Sequence, residues 1–457
     1  MQFPRRQSTA SQRGGMRFLL FSGGIIALTA TMNQPAQALP SYARQTGQEC
    51  TACHVGGFGP QLTAYGTRFK IGGYTDSNGE SGHLPLSAMF VGSYTHTAKD
   101  QSEDAGPYAG ANNNLVAQEV TAFLAGGLTK NLGTFVEAGY SGVDNVFALG
   151  EMDVRFASTV QLGGKDTVIG VTLNNNPSVT DPFNTLPAWR FPYASSDLAP
   201  TPAASTLLEG GLDGQVLGIS AYGFWNDSVY AELGGYRSLS TSSLHSLGLA
   251  GDAGEIDGIS PYWRLGYMKD NRKSAYSFGV FGLYSKLQPD RLSSEPTNNY
   301  QDIGVDASYQ FLGTRRHIFT LFGSYIHEQQ TLDNTFSAGD ASSRDVTLQN
   351  FSLNGSYTYD QTYGITLGVI NTWGDKDALL YQSDSRTGSP NSTAWILDAN
   401  WTPFGKESSW GSPWANLRLG LQYTLYTEFN GASSNYDGSG RDAGDNNTLF
   451  TYVWLSL

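Results

Sequence analysis

From residue 84 to the end of the chain, apolar and polar side chains alternate with a period of two. Residues 415–425 read A-N-L-R-L-G-L-Q-Y-T-L, with the odd positions apolar and the even ones mostly polar. Trp395, Leu397, Ala399 and Trp401 alternate in the same way with Ile396, Asp398 and Asn400. Period two is the signature of a pleated strand whose two faces meet different surroundings. Breaks in the pattern fall at roughly regular intervals and predict sixteen strands: 84–97, 113–129, 133–142, 150–162, 166–175, 214–225, 228–240, 258–269, 273–288, 298–312, 315–333, 345–359, 363–374, 391–402, 414–429 and 447–457.

The breaks themselves alternate in kind. Tight turns stand at 130–133, 163–166, 225–227, 270–272, 312–314 and 360–362. Between them lie connections rich in Gly, Ser, Asn and Asp, near 98–112, 175–213, 240–257, 334–344, 375–391 and 430–446, with shorter ones near 142–149 and 289–297. The stretch 403–414 is the one long member of the short class. An even number of strands with short turns at one rim and long loops at the other predicts an all-β, antiparallel transmembrane barrel, both termini lying at the short-turn, periplasmic rim. A large soluble sandwich or propeller is the competing architecture, but a propeller repeats every 40–50 residues or so, and no such repeat is visible.

Composition sharpens this picture. Of the 457 residues only 15% are charged, 39% are hydrophobic and 12% aromatic, with 55 glycines. Mean hydropathy is nevertheless −0.30. A barrel with a greasy outside and a wet lumen has this profile, and a helical membrane protein, which needs spans of about 20 apolar residues, does not. The net charge of −13 makes nucleic acid a poor partner. Residues 1–38 read as a cleaved signal peptide: Arg5, Arg6, Arg13 and Arg17 precede the apolar run 18–32, and Ala36-Gln37-Ala38 offers a cleavage site before Leu39. Outer-membrane lipid is then the barrel's first partner.

The only two cysteines lie in Cys50-Thr51-Ala52-Cys53-His54. In an exported chain this C-x-x-C-H spacing lets both thiols add to the haem vinyl groups and sets the next imidazole on the iron. A thioredoxin-like pair would need a βαβ context, a zinc site two more nearby ligands, and a plain disulfide would leave His54 a coincidence. The reading is therefore one covalent haem c, held by Cys50 and Cys53 with His54 as proximal ligand. Residues 39–83 form this haem segment and residues 84–457 the barrel. About 45 residues bury too little apolar surface to fold robustly alone, so the segment is expected to plug the lumen. For the distal ligand, strand parity points Met89 into the lumen together with Ser87 and Ser93. His83 precedes the strand on the same parity, whereas His96 falls on the outer face. Met89 or His83 is thus the candidate, with a more distant residue or an open position as alternatives.

The haem motif just after a signal sequence, the continuation Gly56-Gly57-Phe58-Gly59-Pro60-Gln61-Leu62-Thr63 with Tyr65-Gly66 and Phe69-Lys70, and the sixteen-strand pattern resemble the fused outer-membrane monohaem cytochrome–porins of iron-oxidising bacteria. Asn174-Asn175-Asn176-Pro177, Pro187-Ala188-Trp189 and Phe191-Pro192-Tyr193 strengthen the match. The resemblance implies electron transfer from an extracellular donor, Fe(II), through one haem to a periplasmic carrier such as a soluble cytochrome, which as an enzyme would be an Fe(II):cytochrome oxidoreductase. Two other functions stand against it: a diffusion porin whose haem segment is mainly a structural plug, and a haem peroxidase, for which no distal acid–base pair is evident. Loop acids such as Asp100, Glu103, Asp104, Asp252, Asp437 and Asp445 could draw Fe²⁺, although a solvated surface bridged to lipopolysaccharide by divalent cations is the simpler expectation.

Overall fold

The computed structural model describes residues 39–249, 251–406 and 409–457. The expected signal peptide, 1–38, lies outside the described residues. Sixteen antiparallel strands build one sheet. The first eight are β1 (Leu86–Thr97), β2 (Asn114–Gly127), β3 (Leu132–Ser141), β4 (Val146–Leu162), β5 (Lys165–Asn174), β6 (Val216–Trp225), β7 (Val229–Ser238) and β8 (Ser260–Asp270). They are followed by β9 (Ser274–Gln288), β10 (Asn298–Phe311), β11 (His317–Leu332), β12 (Asp345–Tyr359), β13 (Tyr363–Gly374), β14 (Ser392–Trp401), β15 (Asn416–Glu428) and β16 (Thr448–Ser456). A two-residue piece, Glu255–Ile256, prolongs β8 along β9. Each strand pairs with its neighbours in the chain, and β1 closes the ring on β16 from Met89↔Ser456 to Thr97↔Thr448. Closure leaves no free sheet edge. All sixteen strands stand where the alternation puts them, with ends shifted by a few residues.

Strand β8 shows why these sequences make a barrel wall. Pro261, Trp263, Leu265, Tyr267 and Lys269 point outward, while Ser260, Tyr262, Arg264 and Met268 are buried inside. Trp263, Leu265 and Tyr267 then contribute to an apolar outer belt that also includes Ile219, Leu367 and Leu421. No helix among the described residues is long and apolar enough to cross a membrane, and the strands do so instead. The chain is a closed, sixteen-stranded antiparallel β-barrel with an apolar outer belt, the build of a barrel that crosses a membrane. Leu265→Arg should cost about 2–4 kcal/mol if it sits at the bilayer midplane. Reversible unfolding in liposomes would read this, and an unchanged midpoint would remove Leu265 from the lipid face.

The tight turns follow hairpin chemistry. Asn226 and Asp227 take φ of 53° and 51°, and Asp360 and Gln361 take 53° and 56°. Positive φ at both central residues is what the type I′ hairpin needs. At the opposite rim the expected 142–149 connection shrinks to four residues, because β4 begins at Val146.

The larger departure concerns residues 175–215, of which 175–213 read as one more polar outer loop. This loop folds into the barrel instead. Val179, Leu186, Thr180, Asp181 and Thr206 are all completely buried. The wall supplies the hydrogen bonds that water would otherwise give it. Arg155 donates to the Thr180 carbonyl (2.9 Å), Gln422 to that of Ala194 (2.8 Å) and Gln118 to that of Ser195 (2.8 Å). Asp302 and Glu328 accept from the Leu208 and Leu207 amides, at 2.9 and 2.6 Å. The lumen is therefore filled from the long-loop rim by this loop and from the short-turn rim by residues 39–83.

Candidate functional site

The N-terminal segment is three short helices around a reversal. In α1 (Pro40–Thr46), Pro40 occupies the first helical turn, where its missing N–H costs nothing, and Gly47 (φ 65°) ends the helix. The motif turn α2 (Cys50–Cys53) comes next. In α3 (Ala64–Ile71) the Thr63 side chain caps the N-terminus by accepting from the Gly66 amide. Cysteines three apart on one helical turn face the same side. His54 then leaves the helix in extended conformation (φ −123°, ψ 141°) and is held beside Leu62 by two backbone bonds: the Thr63 amide donates to the Cys53 carbonyl (2.8 Å) and the Val55 amide to that of Gln61 (2.9 Å).

Two close approaches fix this turn. A Cβ on Gly66 would stand 2.4 Å from the Cys53 carbonyl oxygen, so only glycine lets α3 pack against the motif. Gly57 (φ 64°) turns the chain back beneath the 402–415 connection, where a Cβ would meet the Gly405 carbonyl at 2.9 Å. The reversal drives Phe58 edge-on against Trp454 (4.7 Å), with Arg418 donating to the Phe58 carbonyl (2.9 Å). Gly66→Ala is expected to displace the Cys53–His54 turn at a cost of about 1–3 kcal/mol. The barrel, whose closure does not use this contact, should keep its heat-resistant mobility on gels while thermal melting of the segment moves down.

Cys50, Cys53 and His54 line one cavity. Its walls come from three parts of the chain: Tyr42, Phe69, Lys70 and Tyr74 from the N-terminal segment, Phe135 from β3, and Asn184 and Trp189 from the inward loop. Tyr42 packs edge-on against Phe69 (5.0 Å) and stacks on Tyr74 (5.6 Å), while Phe135 meets Trp189 at 5.5 Å. A mostly apolar and aromatic space with a few convergent polar groups has the chemistry of a candidate binding site.

Electrostatics reinforce this. His54 is buried, and its Nδ1 has no hydrogen-bond partner meeting normal geometry. Burial pulls its pKa down to about 4, with the Arg418 charge adding to the effect and the Gly59 carbonyl opposing it. The imidazole is therefore neutral at physiological pH and keeps a lone pair to offer. Burial likewise raises the Cys50 thiol to about 11 and the Cys53 thiol to about 12. Lys70 donates from Nζ to the Asp181 carbonyl (2.7 Å) and to Asn184 Oδ1 (2.9 Å), and lies 4.4 Å from the centre of the Trp189 ring. Burial and the nearby Arg155 lower its pKa to about 7. Lys70 thus ties the N-terminal segment to the inward loop. Tyr74 ties the same segment to the wall through Asp153 (2.6 Å), which is itself held by Arg155 at 2.7 Å.

The site brings Cys50, Cys53 and His54 together. Met89 points into the lumen as its parity requires and belongs to the buried cluster that also holds the cavity-lining Leu39, Phe69, Phe135 and Trp189, without itself lining the cavity. His83 sits at the rim, hydrogen-bonded to Asn78 (3.3 Å) and beside Glu80. His96 is on the outer face, paired with Asn113. Reading the sequence did not select Lys70, Phe135, Asn184 or Trp189 as lining residues, although Phe69-Lys70 and Pro187-Ala188-Trp189 belong to the stretches that carry the family resemblance. At the outer mouth an open vestibule includes Asp197, Glu209, Asp252, Asp384 and Asp437 in its lining. Among the described residues no three His, Cys, Asp or Glu side chains group to hold a metal ion.

No protein-family model and no curated protein matches the chain. Among solved structures, it is similar to the outer-membrane channel DcaP of Acinetobacter baumannii (12% identity, 81% of this chain and 96% of that one, TM-score 0.44). It is also similar to Salmonella typhi OmpF in complex with daunomycin (13%, 81% and 97%, TM-score 0.44) and to an anion-selective porin from Comamonas acidovorans (12%, 81% and 98%, TM-score 0.42).

Proposed function

We propose that this chain carries electrons across the outer membrane through one covalently bound haem c, from an extracellular donor to a soluble periplasmic carrier. The observation that supports it most is the convergence of Cys50, Cys53 and His54 on a single aromatic cavity inside a closed barrel. The residues present fit the group: two thiols on one helical face, a neutral imidazole with an orphaned buried nitrogen, and a largely apolar enclosure. When bound, haem supplies a one-electron iron couple whose potential depends on axial ligation and burial. The chain's own residues do the rest. Cys50 and Cys53 would anchor the group, His54 would ligate its iron, and Phe69, Phe135 and Trp189 would keep water away from it.

Fe(II) is the donor favoured by the family resemblance, and the acidic outer vestibule is electrostatically compatible with a cation. Adding Fe(II) to the purified protein and following the ferrous c-type bands tests the donor. Absence of reduction at every pH would remove Fe(II) and leave the conduit. A second reading, a diffusion porin with residues 39–83 as a structural plug, draws on the size of that vestibule. Steady ion conductance in planar bilayers without donor-dependent haem reduction would favour it. Two folded obstructions in the lumen argue the other way.

A further inference from the structure

The short-turn rim carries a concentrated positive patch only part of which serves the fold: Arg316 donates to the Tyr359 hydroxyl at 2.8 Å and lies over its ring. Arg272 and Lys273 lie on the turn after β8, and Arg315 and Arg316 on the turn after β10; all four are exposed. The turns touch, since the Leu312 amide donates to the Lys273 carbonyl at 2.8 Å. Two acids on the same rim are already engaged: Asp270 by Arg68 at 3.0 Å, and Asp360 by Lys406. The patch also reaches the candidate site directly. Arg315 Nη1 donates to the carbonyl of Thr51, which lies between the two motif cysteines, at 3.0 Å. Meanwhile the outer loops carry mostly acids, so the molecule is polarised, with its cations gathered beside the motif.

We propose that Arg272, Lys273, Arg315 and Arg316 form the docking patch for the periplasmic electron acceptor, and that this acceptor is a soluble protein presenting a carboxylate-rich face. The proposal rests on the conduit reading above. A cationic patch in contact with the haem-bearing turn steers an anionic partner to the point where the electron leaves, and steering of this kind changes association rates by about 10- to 1,000-fold. In the step itself the bound iron passes from ferrous to ferric, and the acceptor gains one electron.

The test uses the full haem-loaded chain in nanodiscs of neutral lipid, reduced with ascorbate and mixed in stopped flow with one of three oxidants. These are ferricyanide, the cationic tris(phenanthroline)cobalt(III), and an acidic plastocyanin. Arg272→Glu/Lys273→Glu/Arg316→Glu leaves the Arg315–Thr51 bond in place. It should slow oxidation by ferricyanide and by plastocyanin about tenfold at low salt and speed oxidation by the cobalt complex. Both differences should close near 1 M salt, where screening acts within about 3 Å. Asp290→Lys/Glu295→Lys, on the outer 289–297 connection, should leave all three rates alone. Rates insensitive to the rim charges overturn the patch. So does a triple variant that only loses binding to phosphatidylglycerol vesicles, which would assign the cations to lipid headgroups. A chain without covalent haem by mass overturns the conduit reading itself, which separates the two failures.

Discussion

Alanine at both Cys50 and Cys53 is expected to give a barrel of normal heat-resistant mobility that carries no covalently attached haem. The mass increment of the group and its pyridine haemochrome band should both vanish. The separation follows from the architecture. Closure is made by strand pairing from β1 to β16, to which the motif turn contributes no ladder bond. Attachment depends wholly on two thiols held on one face of α2. Either single alanine should leave one thioether, so the mass persists while the haemochrome band shifts. His54→Met should keep both thioethers and change the axial ligand, moving the potential rather than the stoichiometry. If the native protein carries no such mass, the cysteines serve another purpose and the conduit fails. If the double variant loses its barrel as well, the segment is a folding nucleus and not only a plug.

The walls of this protein were legible because a transmembrane strand must alternate. Each lumen-facing residue has a lipid-facing neighbour, so Trp263 and Leu265 flank Arg264 with no room for ambiguity. The inward loop was not legible, for a related reason. A segment buried among polar wall groups needs polar side chains of its own, so residues 175–215 have the Asn, Asp and Thr content of a solvated loop. Asp181 illustrates the confusion. In the sequence it is one acid among many. In the fold it is completely buried, accepting from the amides of Phe183, Thr185 and Leu186 at 3.0, 2.7 and 2.9 Å. Its counter-charge is Arg264, 83 positions away on β8, and no period links the two.

The candidate site divides along the same line. Two cysteines and a histidine at fixed spacing are a local geometry, and local geometry can be read from sequence. The far side of the cavity comes from β3 and the inward loop, which only tertiary structure brings near. Parity correctly turned Met89 inward, but parity sets the face of a strand and not the height along it. Met89 therefore ends in the buried cluster behind the cavity, packed with residues such as Leu39, Phe135 and Trp189 that do line it.

Arg264→Met should have the largest effect on the closed state of the lumen. Arg264 is fully buried between Asp181 of the loop (2.9 Å) and Asp306 of β10 (2.8 Å), and its guanidinium also lies 5.4 Å from the Phe183 ring. Removing the cation strips both buried carboxylates of their shared counter-charge, leaving Asp181 only its backbone amides and the more distant Lys70, a loss that costs about 3–5 kcal/mol. The barrel need not bear that cost. Its ladders are independent of the triad, whereas the loop can escape by withdrawing Asp181 toward the outer vestibule. The variant should therefore keep its heat-resistant mobility and become sensitive to protease added outside. It should also show open-channel events in planar bilayers once residues 39–83, which fill the lumen from the other side, are deleted from the same background, because sixteen strands enclose an aqueous passage when the lumen is cleared. Arg264→Met combined with Asp181→Asn and Asp306→Asn removes the stranded charges and should restore closure. A quiet, protease-resistant single variant would show that the remaining anchors, such as Arg155 on Thr180 and Lys70 on Asp181, hold the loop without the triad.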